Sequence, residues 1–168
     1  MAPTRAKLEV QVEYIDRPDY MTRLDAYLLH KVTRYDLRGR AHLSTQEKYY
    51  AGDHGLVNAL LGYSTTRLPG LLENIVHAEL RLRGYQVHIG KLAEAEVDFV
   101  ATRGDDHLYL QVATTILDPT THAREYAPLL AIKDSHPKYV LTLDTLAGGN
   151  DSGIRHARIP DFLLSETW

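Results

Sequence analysis

The chain has 168 residues, of which 44% are hydrophobic and 24% charged, the balance of one soluble globular domain with a real core rather than of a disordered polymer. It contains no cysteine, which excludes disulfides, thiolate zinc sites and cysteine nucleophiles and suits a cytoplasmic setting. No apolar run of about 18 residues is present and Met1–Arg5 leads into no apolar segment, so neither a membrane span nor a secretory signal is expected.

The net charge of −3 is unevenly spread: residues 1–48 carry 9 Lys and Arg against 7 Asp and Glu, and the remainder 10 against 15. Arg23, Lys31, Arg34, Arg38, Arg40 and Lys48 stand against three acids in residues 21–48. Such a stretch is either a phosphate-binding face or a solvated helix surface.

In chain order, Leu8 to Ile15 alternates as a strand does, and Arg17-Pro18-Asp19 breaks it. Met21, Leu24, Leu28 and Val32 lie near helical spacing, so 20–34 reads as a helix, followed by a short extended piece from Tyr35 to Leu43. Residues 1–46 therefore read as an arm or linker, and 47–168 as the domain. Residues 55–61 read as a short helix. Leu71 to Arg83 is the clearest helix, with Gly84 placed to stop it. Its apolar arc holds Leu71, Leu72, Ile75, Val76, Ala78, Leu80 and Leu82; Glu73 falls at the edge and Glu79 inside, where it needs a partner if buried. Strands are expected at 86–90, 95–101, 108–115 and 139–143, the middle two joined as a hairpin by Arg103 to Asp106. Thr121 to Asp134 reads as a helix that Pro128 should kink or split. Ile154 to Ile159 reads as a last strand and Pro160 to Leu164 as a closing helix. The order implies an α/β core with a mixed sheet.

The chemistry gathers on the hairpin. Strict alternation puts Glu96, Asp98 and Val100 on one face of the first strand and Val97, Phe99 and Ala101 on the other. Asp98 and Gln111 then share the more polar side, and Glu73 reaches over the rim. Two carboxylates and an amide are hard oxygen donors of the kind Mg²⁺ or Mn²⁺ takes. The nine histidines form no metal-ligating spacing on a helix, and no serine sits in a nucleophile elbow. Tyr49, Tyr50 and Tyr63 are candidates for base stacking or for core and rim packing.

Glu73, Gly84, Val97-Asp98-Phe99-Val100 and Leu110-Gln111-Val112 resemble the PD-(D/E)xK, or restriction-endonuclease-like, superfamily in its Glu…Asp…Gln-x-Lys form. Lys48-Tyr49-Tyr50, Asp53-His54-Gly55-Leu56, Leu71-Leu72-Glu73-Asn74, Arg83-Gly84-Tyr85, Glu96-Val97-Asp98-Phe99-Val100, Lys133-Asp134 and Pro137 to Asp144 are similar, in order and spacing over 48–164, to the nuclease-like C-terminal domain of prokaryotic AAA+ ATPases. Residues 20–46 resemble the linker of such proteins. The resemblance implies a restriction-endonuclease-like core: a mixed central sheet flanked by helices, with an N-terminal arm. It implies catalytic and metal-binding roles for Glu73, Asp98 and Gln111, with the Val112 carbonyl as a further ligand. DNA, contacted through residues 21–48, and an AAA+ ATPase or another protein are the implied partners, and no membrane is. Two departures stand out. No Walker A motif is present, so the chain is not the ATPase half. The motif lysine is replaced by Ala113, which points to a degenerate nuclease, the alternative being an active metal-dependent one. Lys91 or Lys133 is a candidate to replace that lysine, and Ala113→Lys is expected to raise the rate of an intact site.

Overall fold

The computed structural model describes residues 28–93 and 95–166, without the side chains of 44–46. The strand expected at 8–15, Arg23 and the first part of the expected 20–34 helix lie outside the described residues. The elements are β1 (Leu29–Asp36), β2 (Ala41–Ala51), α1 (His54–Leu61), a single 3₁₀ turn (Thr65–Arg67), α2 (Leu68–Leu82), β3 (Gln86–Leu92), β4 (Ala95–Arg103), β5 (Asp106–Val112), α3 (Pro119–Ala131), β6 (Lys138–Thr142), β7 (Asn150–Asp151), β8 (Ile154–Arg158) and α4 (Ile159–Leu164). Among the described residues one eight-stranded sheet runs β2-β1-β3-β4-β5-β6-β8-β7. It is mixed: β1–β3, β5–β6 and β6–β8 are parallel and the other pairs antiparallel. Helices flank both faces, giving the expected α/β core. Leu72, Val76 and Leu80 of α2 and Phe162 of α4 cover Phe99, Leu110 and Leu141 on one face. Tyr126 and Leu129 of α3 cover Val97, Val100, Tyr109 and Val140 on the other.

Four expectations need correcting. Residues 29–34 are strand, not helix: Val32, Thr33 and Tyr35 are β-branched or aromatic, the segment pairs with β2, and from Arg34 on it also pairs with β3. Strand β2 also crosses position 46, so residues 29–46 belong to the sheet rather than to a separate arm. In α2, Leu82 is 83% exposed, while Asn74 and His77 are buried. Pro128 lies inside α3 without splitting it.

Other elements follow the local code closely. Gly84, with φ of 82°, closes α2 in a Schellman motif: its N–H donates to the Arg81 carbonyl and that of Tyr85 to the Leu80 carbonyl, each at 3.0 Å. Glu79 has its partner, Arg83, at 2.7 Å, and Arg83 also donates to the Phe162 carbonyl.

The alternation in β4 is not strict. His88 pairs with Val100 but Gly90 with Val97, so β4 carries one extra residue there. This bulge puts Val97 and Val100 in the same apolar cluster under α3 and Phe99 in the opposite one. Gly90 is required beside it: a Cβ at 90 would lie 2.9 Å from both Val97 Cβ and Val100 Cγ2. Asp98 sits in the bulge.

Candidate functional site

The bulge turns the Asp98 backbone and side chain toward β5. Its N–H donates to Gln111 Oε1 at 2.7 Å, and its Oδ2 accepts the Val112 N–H at 2.8 Å. Gln111 faces α3, where its Nε2 donates to Glu125 Oε2 at 3.0 Å, and both residues are buried. Arg124 grips the other oxygen of Glu125 at 2.7 Å. Gln111 thus ties Asp98 to α3, and its amide is engaged at both ends.

Glu73 comes from α2, on the opposite face. Its carboxylate lies close enough to Asp98 to oppose ionisation there. Burial first, then Glu73, pushes the Asp98 carboxyl up to about 8, while Lys48 and the Val112 N–H pull the other way. Glu73, Asp98 and Gln111 are therefore brought to one place, from two faces of the sheet.

The cation at this place is Lys48, from β2. Its Nζ is 2.7 Å from Glu96 Oε1 and 3.6 Å from Glu73 Oε2. Burial works against the ammonium, but Glu73, Asp98 and Glu96 outweigh it and raise its pKa above the ordinary lysine value. Arg34 of β1 binds the second oxygen of Glu96. Lys48 and Arg34 together hold Glu96 below the usual carboxylate range in spite of its burial. Neither lysine considered as a replacement for the motif lysine has this position. Lys133 donates to the Leu130 carbonyl at the end of α3, and Lys91 stands opposite Glu96 in the β3–β4 ladder.

Two neighbours fix β2 against α2. The Tyr50 hydroxyl donates to Glu73 Oε2 at 3.3 Å, and its ring stacks on buried His77 at 4.4 Å between centroids. Asn74 accepts the Ala51 N–H at 2.7 Å, donates to the Ala51 carbonyl at 2.8 Å and meets His54 Nε2 at 2.6 Å. An amide that satisfies both backbone groups of one strand residue works as one more rung of the ladder. Asp53 starts α1 just beyond, its side chain accepting the Leu56 N–H. Lys48 and Tyr50 are two residues apart on β2 and so share a face, and both reach Glu73.

Lys48, Tyr50, Asn74, Glu96 and Glu125 thus join the expected site residues. The sequence signal was present for four of them, in Lys48-Tyr49-Tyr50, Leu71-Leu72-Glu73-Asn74 and Glu96-Val97-Asp98-Phe99-Val100, but only Tyr50 had a candidate role, base stacking or packing. Tyr50 is core and Tyr63 is 74% exposed. Part of the basic stretch is paired with acids: exposed Lys31 with Glu47, and half-buried Arg34 and Lys48 with Glu96, Lys48 also with Glu73. Arg38 and Arg40 are exposed at the β1–β2 turn.

Among the described residues, no group of three or more His, Asp or Glu side chains is placed to hold a metal ion. Mg²⁺ needs only one or two carboxylates when water and a phosphate complete its octahedron. Asp98 Oδ1 and one oxygen of Glu73 meet that chemistry; the Gln111 amide already has Asp98 and Glu125 as partners. No helix of the described residues is long and apolar enough to cross a membrane.

No protein-family model matches the chain. No solved structure matches it. It is 39% identical over 140 residues to a Haemophilus influenzae protein described as "Uncharacterized protein", a match covering 83% of this chain and 34% of that protein. The chain thus spans about a third of the length of this curated relative.

Proposed function

We propose that the chain is a nuclease-like α/β domain that takes the phosphodiester backbone of DNA at the Glu73–Asp98–Lys48 cluster. In this reading it is a cytoplasmic accessory module of a larger AAA+ ATPase type protein, with little or no cleavage of its own. The observation that carries it is the meeting of a helix carboxylate, a bulge carboxylate and a lysine on one spot. Acids that repel each other beside an ammonium suit a ligand with both a bound cation and an anionic group, which a metal–phosphodiester pair is. The weak-cleavage part rests on Ala113, buried in the apolar cluster under α3, and on the Gln111 amide, already held by Asp98 and Glu125. The larger-protein part rests on the relative, of which this chain matches 34%. The test is a gel-shift series with single-stranded, duplex and branched DNA at low salt, with and without Mn²⁺. Retention that weakens steeply with salt is expected. No retention on any DNA overturns the reading and leaves a protein partner as its replacement.

A second reading, a slow Mg²⁺- or Mn²⁺-dependent nuclease, is favoured by Lys48, since a cation beside the acids is what the chain lacks at position 113. A bound divalent ion would polarise the phosphodiester and acidify a water; Glu73 and Asp98 would hold it. Metal-dependent cleavage abolished by Asp98→Ala supports this reading, and brisk cleavage unaffected by Asp98→Ala removes the site from it.

A further inference from the structure

We infer that Lys48 supplies, from β2, the cationic phosphodiester-binding group that the hairpin lacks at position 113, a reading that rests on the DNA-binding proposal above. Three features of the structure support it. The ammonium lies between Glu96 and Glu73, with only 23% of its side chain exposed, so it is fixed rather than sampling solvent. Its anchor is Glu96, which Arg34 holds from the other side, so Lys48 needs Glu73 only as a distant second partner. Its strand is pinned three residues further on by the Asn74 amide, next in sequence to Glu73. Successive residues of α2 therefore set both the acid and the lysine. Glu96 and Asn74 are positioning residues, and Lys48 is the one that would touch the ligand. A phosphate brought to this spot meets the acidic side chains of Glu73 and Asp98; the ammonium beside them offsets the repulsion from Glu73 and gives the phosphate oxygen a donor. Position 113 cannot do this, because its side chain packs with Ile116, Tyr126 and Leu129.

The same geometry makes Lys48 and a divalent ion rivals for the charge of Glu73 and Asp98, which provides a readout independent of DNA. The experiment compares wild type, Lys48→Met, Lys48→Arg and, as a control, Lys133→Met. Binding of a labelled oligonucleotide in Mn²⁺ is followed by anisotropy across a salt series, and Mn²⁺ binding without DNA by calorimetry. Lys48→Met is expected to lose about tenfold in DNA affinity and to lower the salt slope by about one, with Lys48→Arg close to wild type. The control is expected to match wild type. Without DNA, Lys48→Met is expected to bind Mn²⁺ at least about fivefold more tightly. If Lys48→Met does not fold, Lys48→Gln, whose amide still donates to Glu96, takes its place. Wild-type DNA affinity and salt slope in Lys48→Met overturn the assignment of Lys48 while the DNA-binding proposal survives. If wild type binds no DNA, that proposal falls and the assignment of Lys48 falls with it; equal Mn²⁺ binding in wild type and Lys48→Met likewise overturns the assignment.

Discussion

Asp98→Asn probes the electrostatics of the bulge through the pH dependence of stability. The Asp98 carboxyl is pushed up to about 8, first by burial and then by Glu73, against about 3.9 in an unfolded chain. An acid whose folded value lies above its unfolded value takes up a proton on folding between the two. Its effect is absent below the unfolded value, grows as pH rises through the window, and is a full loss of stability above the folded value. One proton per molecule corresponds to about 1.4 kcal/mol per pH unit, so about 2.7 kcal/mol between about pH 5 and about pH 7. Asp98 is only half-buried, which screens part of that interaction. A loss of about 1–3 kcal/mol is therefore expected from this group. Asparagine cannot ionise, yet its carbonyl can still accept the Val112 N–H. Urea unfolding of both proteins is measured at several pH values in the presence of a chelator. The stability of Asp98→Asn relative to wild type is expected to rise by about 1–3 kcal/mol from about pH 5 to about pH 7. His77, held down to about 3 by burial, His30 and Arg81, acts with the opposite sign: it costs stability as pH falls below the ordinary histidine value. It is common to both proteins and cancels in the difference. A difference that stays constant across the range refutes the reasoning, because Asp98 would then ionise in the folded chain as it does in the unfolded one.

Asn74→Ala leaves the Ala51 N–H and carbonyl without their side-chain partner, and a loss of about 2–4 kcal/mol in urea unfolding is expected. Gly90→Ala drives a Cβ to 2.9 Å from Val97 and Val100; an overpacking loss of about 1–3 kcal/mol, seen as a lower denaturant midpoint with an unchanged m-value, is expected. Ala113→Lys buries an ammonium among Ile116, Tyr126 and Leu129. Instead of restoring the motif it is expected to lower the melting temperature and to bring no gain in Mn²⁺-dependent cleavage.

From residue 54 onward most elements, though not β7 or the 3₁₀ turn, were legible in the sequence because their signals are local. Periodicity marks α2 and the hairpin, the Asp53 side chain caps α1, and Gly84 ends α2 by taking a positive φ that other residues avoid. Glu73, Asp98 and Gln111 could be singled out from these elements and from the resemblance. What lay out of reach depends on partners distant in the chain. Met21, Leu24, Leu28 and Val32 have helical spacing, yet residues 29–36 are strand, since two neighbouring ladders outweigh a weak apolar period. The bulge at Asp98 arises from the mismatch between β4 and β3 around Gly90, and alternation within β4 alone cannot show it. Lys48 precedes both Glu73 and Asp98 by many residues; it meets them only because sheet order and the Asn74 clamp carry β2 to the N-terminal part of α2. The sequence by itself determined the periods, caps and chemical types of the residues, because these follow from each residue's own backbone and side-chain preferences. Which cation faces which carboxylate was decided only by tertiary structure, because charge interactions follow distance in space, and that distance is set by non-local strand pairing.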